Sequence, residues 1–263
     1  MTSDSSPGTK KTYPIPPDPM SVPCGAFARD MRKLLSFMIF VPALASSMDQ
    51  VARTAANALS SLSPESKDFG RVVQSGAGVL SHFGKHKPLL DQMFFCRAVD
   101  NFLTYISELL TLIFTVRPET LRSSAQVRLD YILQFDSMPD LLNSLVERRV
   151  NELSYQGMEE LANELRDRVG LQVFRDDALR QTAVRLIETR NIIVHNRGII
   201  NRHFIRRVPE AAAELGRSVA LTGLAIFDDI YDLAGVAFDL DRTSVKKFSL
   251  ATPVTIDSVL DED

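Results

Sequence analysis

The stretch Phe94-Phe-Cys-Arg-Ala-Val-Asp-Asn-Phe-Leu-Thr-Tyr-Ile-Ser-Glu-Leu-Leu-Thr-Leu-Ile-Phe-Thr-Val-Arg117 decides the fold class. Phe95, Val99, Phe102, Leu103, Ile106, Leu109, Leu110 and Ile113 recur three and four residues apart, the spacing that gathers side chains on one helical face. A long helix ending near Arg117 is the expectation. No glycine occurs from Lys85 to Gln156, and Pro88, Pro118 and Pro139 fall where helices can begin. Leu141, Leu142, Leu145, Val146 and Val150 repeat the pattern, as do Leu161, Leu165 and Val169. Gly157 and Gly170 are predicted to cap these elements at their C-terminal ends. Further helices are predicted near 28–62, 69–81, 125–135, 176–196 and 210–236. Strand-like alternation is confined to Val245–Leu250, predicted as a lone strand. The fold class is therefore all-α, an antiparallel helical bundle.

Both ends read differently from the middle. Six of thirteen prolines lie before residue 24, so 1–24 is predicted to be a disordered, Pro-rich tail. Residues 25–85 form N-terminal helices, either part of the bundle or a cap on it. The bundle proper spans 86–242, and 243–263 is an extended acidic tail.

The chain has 263 residues, 45% hydrophobic and 24% charged, with Cys24 and Cys96 its two cysteines. These values exclude a fully disordered chain, a fibrous repeat and a disulfide scaffold. Two reduced or buried cysteines suit a cytoplasmic protein. The most apolar runs, Leu34–Ala45 and Leu109–Val116, fall short of the ~20 residues a spanning helix needs, so a soluble protein with no membrane partner is expected. No glycine-rich phosphate loop follows a strand, and no Cys or His cluster has metal-ligand spacing. No cofactor and no metal are expected. A net charge of -3 excludes a coat-like nucleic-acid binder.

One segment departs from bundle habits: Ile187-Glu-Thr-Arg-Asn-Ile-Ile-Val-His-Asn-Arg-Gly198. On a helical wheel Glu188, Asn191 and His195 fall at about 0°, 300° and 340°, one polar stripe. Arg190 lies about 140° from His195, so the two share a cleft only if the helix ends or distorts there; Gly198 offers such an ending. From Arg190 to Arg207 there are five arginines, His195, His203 and no acid. Guanidinium forks suit phosphate oxygens, and an imidazole exchanges protons near neutral pH. Together they suit RNA cleavage without metal. Imidazole would deprotonate the ribose 2′-hydroxyl or protonate the leaving 5′-oxygen, while guanidinium stabilises charge building on phosphorus.

Arg190-Asn191-x-x-x-His195, late on a helix of an all-α bundle, resembles the HEPN superfamily, and Asn196-Arg197-Gly198 is similar to its continuation in many prokaryotic members. The resemblance covers roughly residues 88–240. It implies a homodimer in which two motifs face one another across a composite cleft. It further implies a metal-independent endoribonuclease of toxin–antitoxin, phage-defence or RNA-processing systems, with an antitoxin or operon-encoded protein as a possible partner. By position Arg190 and His195 become the catalytic pair and Asn191 the polar neighbour that orients the site.

Simpler readings stand beside these. His195 alone reads as a helix-end imidazole on terminal carbonyls, and Arg190 as one half of a bridge to a carboxylate elsewhere in the bundle. Arg197, Arg202, His203, Arg206 and Arg207 read as RNA-backbone contacts or a solvated face. His82 and His86 are placed in a loop without a role. Phe94, Phe95, Phe102 and Tyr105 read as core, and Asp228, Asp229 and Asp232 as a solvated face. The alternative function is a non-catalytic, HEPN-like module that binds nucleotide or RNA or serves as a dimerising adaptor.

Overall fold

Two long helices frame the molecule: α1 (Val22–Leu62) and α2 (Val79–Val116). The computed structural model describes residues 11–62, 78–121, 127–154 and 157–260. Asp49 of α1 accepts from the backbone N–H of Val79, Phe37 meets Phe94, and Asn101 reaches the Met31 sulfur, so the pair runs antiparallel. After a 3-10 turn at Pro118–Leu121 come α3 (Leu129–Ile132), α4 (Met138–Ser154) and α5 (Met158–Glu164), which passes into a π turn at Leu165–Val169. Then follow α6 (Asp177–Asn196), α7 (Arg202–Arg207), a 3-10 turn at Pro209–Glu214, α8 (Gly223–Phe248) and α9 (Ile256–Leu260). Among the described residues there is no strand, only the bridges Met20–Val254 and Ile199–Ser218.

The predicted face of Phe94–Arg117 is the centre of the core. Phe95, Val99, Phe102, Ile106, Leu109, Leu110 and Ile113 are all buried, and α2 packs against α1, α4, α6 and α8. Each such large apolar side chain contributes ~1.5–3 kcal/mol on leaving water. Tyr105, buried among them, donates its hydroxyl to the Ala237 carbonyl at 2.8 Å, which settles its polar atom. Met20, Cys24, Phe27 and Met31 belong to this same core.

α6 matches its predicted bounds closely. Asp176 caps its start by accepting from the Leu179 N–H at 2.9 Å, and Arg197 in the left-handed region, φ 54°, ends it. Gly170 caps the π turn as expected, at φ 65°. Gly157 does not close a helix; it opens α5 with extended dihedrals. Pro88 lies inside α2 rather than at a start. The carbonyl it deprives of a helical partner belongs to Gly84, an exposed residue open to water. His82 and His86 consequently stand on a helix, exposed, and not in a loop. The helix expected at 69–81 lies mostly outside the described residues, and of that at 125–135 only α3 is helical.

Larger departures have long-range causes. The helix expected at 210–236 begins instead at Gly223, because Arg217–Val219 is held extended against Gly198–Ile200. There Ile200 donates its N–H to the Arg217 carbonyl at 2.9 Å and Val219 to that of Gly198 at 2.8 Å. α8 continues to Phe248, so Val245–Leu250 is no strand; Ser249 at φ 55° ends the helix. Nor is 243–260 an extended tail, since α8 runs to Phe248 and α9 packs on α1; residues 261–263 lie outside the described residues.

Residues 1–10 of the predicted N-terminal tail lie outside the described residues. The remainder is packed: Tyr13 stacks edge-on against Tyr231 and Phe238, and Met20 exchanges backbone hydrogen bonds with Val254. Asp229 is not a solvated carboxylate; it is buried against Arg185 at 2.9 Å, and burial still raises its pKa. By length and composition α1 and α2 each reach what a membrane crossing requires, with windows of mean hydropathy 1.5 and 1.3, 17% and 50% buried respectively.

Candidate functional site

A cleft of about 600 Å³ opens where the end of α6 meets α2, α5 and α7. Its floor is apolar, from Leu103, Ile106 and Leu110 of α2 with Met158 and Leu161 of α5. Its wall is the polar stripe of α6. Glu188, Asn191 and His195 all line it, as three residues on one helical face should. Arg190 lines it too. The helix stops at Asn196, one residue past His195, so Arg190 and His195 reach a common space despite their angular separation.

Local backbone explains the position of this helix end. Gly198, at φ 74°, follows Arg197, and its N–H bonds the Ile192 carbonyl at 2.9 Å. A β-carbon there meets only ordinary contacts, yet the positive φ favours glycine. Beyond it Ile192, Ile200, Phe204 and Val208 form a small separate core that seats α7. Asn201 caps α7, accepting from the Phe204 N–H at 2.9 Å. Asn201 also faces the cleft, with His203 and Arg207.

The predicted site residues therefore divide. Arg190, Asn191, His195, His203 and Arg207 share the cleft; Arg197, Arg202 and Arg206 are exposed outside its lining. His195 is exposed and Asn191 half-buried. Arg206 contacts the Nδ1 of His203 at 3.3 Å.

Acids that the 190–207 window lacks arrive from other helices. Arg190 donates its Nε to Asp100 Oδ1 at 2.8 Å, with Nη2 at 2.8 Å from the same oxygen, and its Nη1 to Asn191 Oδ1 at 3.2 Å. Arg207 pairs with Glu160 at 2.9 Å, which lowers the carboxyl pKa and raises that of the guanidinium. Glu188 faces the cleft at 7% exposure, close enough to act electrostatically on Arg207. Asp100 and Glu160 are the partners at this site that the linear sequence does not single out. Only Glu188 carried a signal, its place on the Asn191–His195 stripe.

Cys96 lies near the same ion pair. Burial, and then the Asp100 charge, push its thiol pKa up, away from nucleophile chemistry. Among the described residues no group of three His, Cys, Asp or Glu side chains is arranged to hold a metal. No protein-family model, curated protein or solved structure matches the chain.

Proposed function

We propose that the chain is a metal-independent endoribonuclease of HEPN type, in which His195 transfers protons and Arg190 steadies charge on phosphorus. The observation that supports this most is the convergence of Arg190, Asn191 and His195 on one cleft, with His203 and Arg207 beside them. In the reaction an imidazole removes the 2′-hydroxyl proton, the oxygen attacks phosphorus, and the 5′-oxygen leaves with a proton. The products are a 2′,3′-cyclic phosphate and a free 5′-hydroxyl. A homodimer that brings two such sites together would supply one His195 as base and the other as acid. Asp100 fixes the plane of the Arg190 guanidinium and leaves part of its donor set for phosphate oxygens. RNA is the substrate in this proposal, and an operon-encoded partner protein is its regulator.

The test uses the full chain and His195→Ala with cellular RNA in EDTA. Cleavage by the first, reduced at least ~100-fold in the second, is the expected result. EDTA-sensitive cleavage, or equal activity in both proteins, overturns the proposal.

A second reading is favoured by the ion pairs. Asp100 and Glu160 already balance Arg190 and Arg207, and Glu188 adds negative charge to the cleft. A cleft so compensated suits a non-catalytic nucleotide- or RNA-binding module or an adaptor. RNA binding by Arg190→Ala separates the cases, because a pure adaptor predicts no change.

A further inference from the structure

α1 carries two apolar stripes: one is buried against α2, and the other is exposed along its length, with the edge of Phe37 against Phe94 as its contact with α2. Met31, Leu34, Met38, Ala45 and Ala56 are the buried stripe, directed to α2. About 100° around the helix run Phe37, Phe40, Leu44, Met48, Val51, Ala55, Leu59 and Leu62, all exposed. Their spacing repeats every eleven residues: Phe37 to Met48 to Leu59, Phe40 to Val51 to Leu62, Leu44 to Ala55. An eleven-residue repeat keeps a stripe on one side of a nearly straight helix over its full length. Apart from Ala55, each of these side chains is 43–79% exposed. At roughly 100 Å² apiece they offer on the order of 700 Å². That exceeds the largest patch of most monomers and approaches one partner's ~800 Å² share of a standard interface.

We propose that this stripe is the docking surface for a second copy of the chain, with the two α1 helices antiparallel about a two-fold axis near Asp49 and Gln50. The stripe has the same spacing in both directions, as self-pairing about a two-fold axis requires. Antiparallel pairing sets Phe37 against Leu62, Phe40 against Leu59, Leu44 against Ala55 and Met48 against Val51. Large residues thus oppose smaller ones, and no stripe position faces a polar one. Lys33, one step before Phe37 on the same stripe, falls beside the opposing helix's C-terminal end, whose last turn has no basic residue. A cation there is favourable.

The remaining face of α1 argues against lipid as the occupant. Its exposed residues are chiefly polar and uncharged, Ser36, Ser47, Gln50, Thr54, Asn57 and Ser61, interrupted by Ile39 and Arg53. A spanning helix is apolar all round, and an interfacial helix sets Lys and Arg on its polar face. The inference does not depend on ribonuclease activity, and this surface is separate from the Arg190/His195 cleft.

Sedimentation of the full chain should show self-association, and Phe40→Glu/Leu44→Glu should weaken the α1-mediated step by at least about 100-fold and reduce the size of the assembly, with unchanged helix content. Met48→Cys/Val51→Cys should give a disulfide-linked dimer on oxidation, and Gln50→Cys should not. A monomer at all concentrations, or flotation of monomers with phosphatidylcholine–phosphatidylserine vesicles, overturns the inference. So does an assembly of the same size in wild type and Phe40→Glu/Leu44→Glu, a result that leaves a dimer built on the Arg190/His195 face standing.

Discussion

From Cys24 to Met38, α1 buries Cys24, Phe27, Ala28, Met31, Leu34 and Met38, whereas from Ile39 to Leu62 it buries Ala45 and Ala56 alone. Both halves are apolar. The inner half and the residue before it meet α8, α9 and the segment joining them besides α2: Ser21 Oγ donates to Asp241, Gly25 lies against Val254, and Arg32 reaches the Val259 carbonyl at 2.8 Å. The outer half has α2 as its packing neighbour among the described helices. Apolar composition fixes how much surface must leave water; the number of neighbouring helices fixes how much does so within one chain.

Substitutions should separate the halves most sharply in the inner core. Phe27→Ala removes a ring that is 2% exposed and should lower unfolding free energy by about 3–5 kcal/mol, read from the urea midpoint. A loss no larger than that of an outer-half substitution would erase the contrast.

The next effect is a slope against pH, at the clasp between α1 and α8. Burial holds the Asp241 carboxyl above its ordinary pKa, so the folded chain binds that proton more tightly than the unfolded one. Its contribution is complete below the ordinary carboxyl value and is lost as pH rises toward the raised one. Asp241→Asn should therefore gain stability relative to wild type as pH goes from about 4 to about 7. Parallel urea curves at both pH values would contradict this.

In the outer half the strongest single tie is the cap that Asp49 places on α2, accepting from the N–H groups of Val79 at 2.6 Å and Leu80 at 3.0 Å. Asp49→Ala should cost about 1 kcal/mol, with faster amide exchange confined to the first turns of α2. Smallest of all, Phe40→Ser in protein dilute enough to be monomeric should change stability by less than about 0.5 kcal/mol. A larger loss would mean that this ring packs within its own chain.

Legibility from sequence followed the range of the forces. α6 was readable within one residue because its signals are local: Asp176 at the cap, an amphipathic repeat, and Gly198 just past the end. The stripe of Glu188, Asn191 and His195 was readable for the same reason. Arg190's partner was not, since Asp100 stands ninety positions away. The Ala-rich stretch after Pro209 has helical composition, yet pairing of Arg217–Val219 with Gly198–Ile200 overrides that propensity. The prolines before residue 24 suggest a disordered tail, and nothing local announces that Tyr13 packs on Tyr231 or that Met20 docks on Val254. The outer stripe of α1 runs well past the apolar stretch Leu34–Ala45, and its eleven-residue period is spread too thinly among polar residues to mark it in local composition.

Ser21 and Asp241 lie 220 positions apart in sequence and are joined by buried hydrogen bonds. Closing a loop of that length costs more chain entropy than any contact between neighbouring helices. The contact also couples two places that a linear map keeps apart. Loosening the last turns of α8 frees the first turn of α1, so amide protons near Cys24 and near Ser244 should exchange in one cooperative opening rather than as two fraying ends.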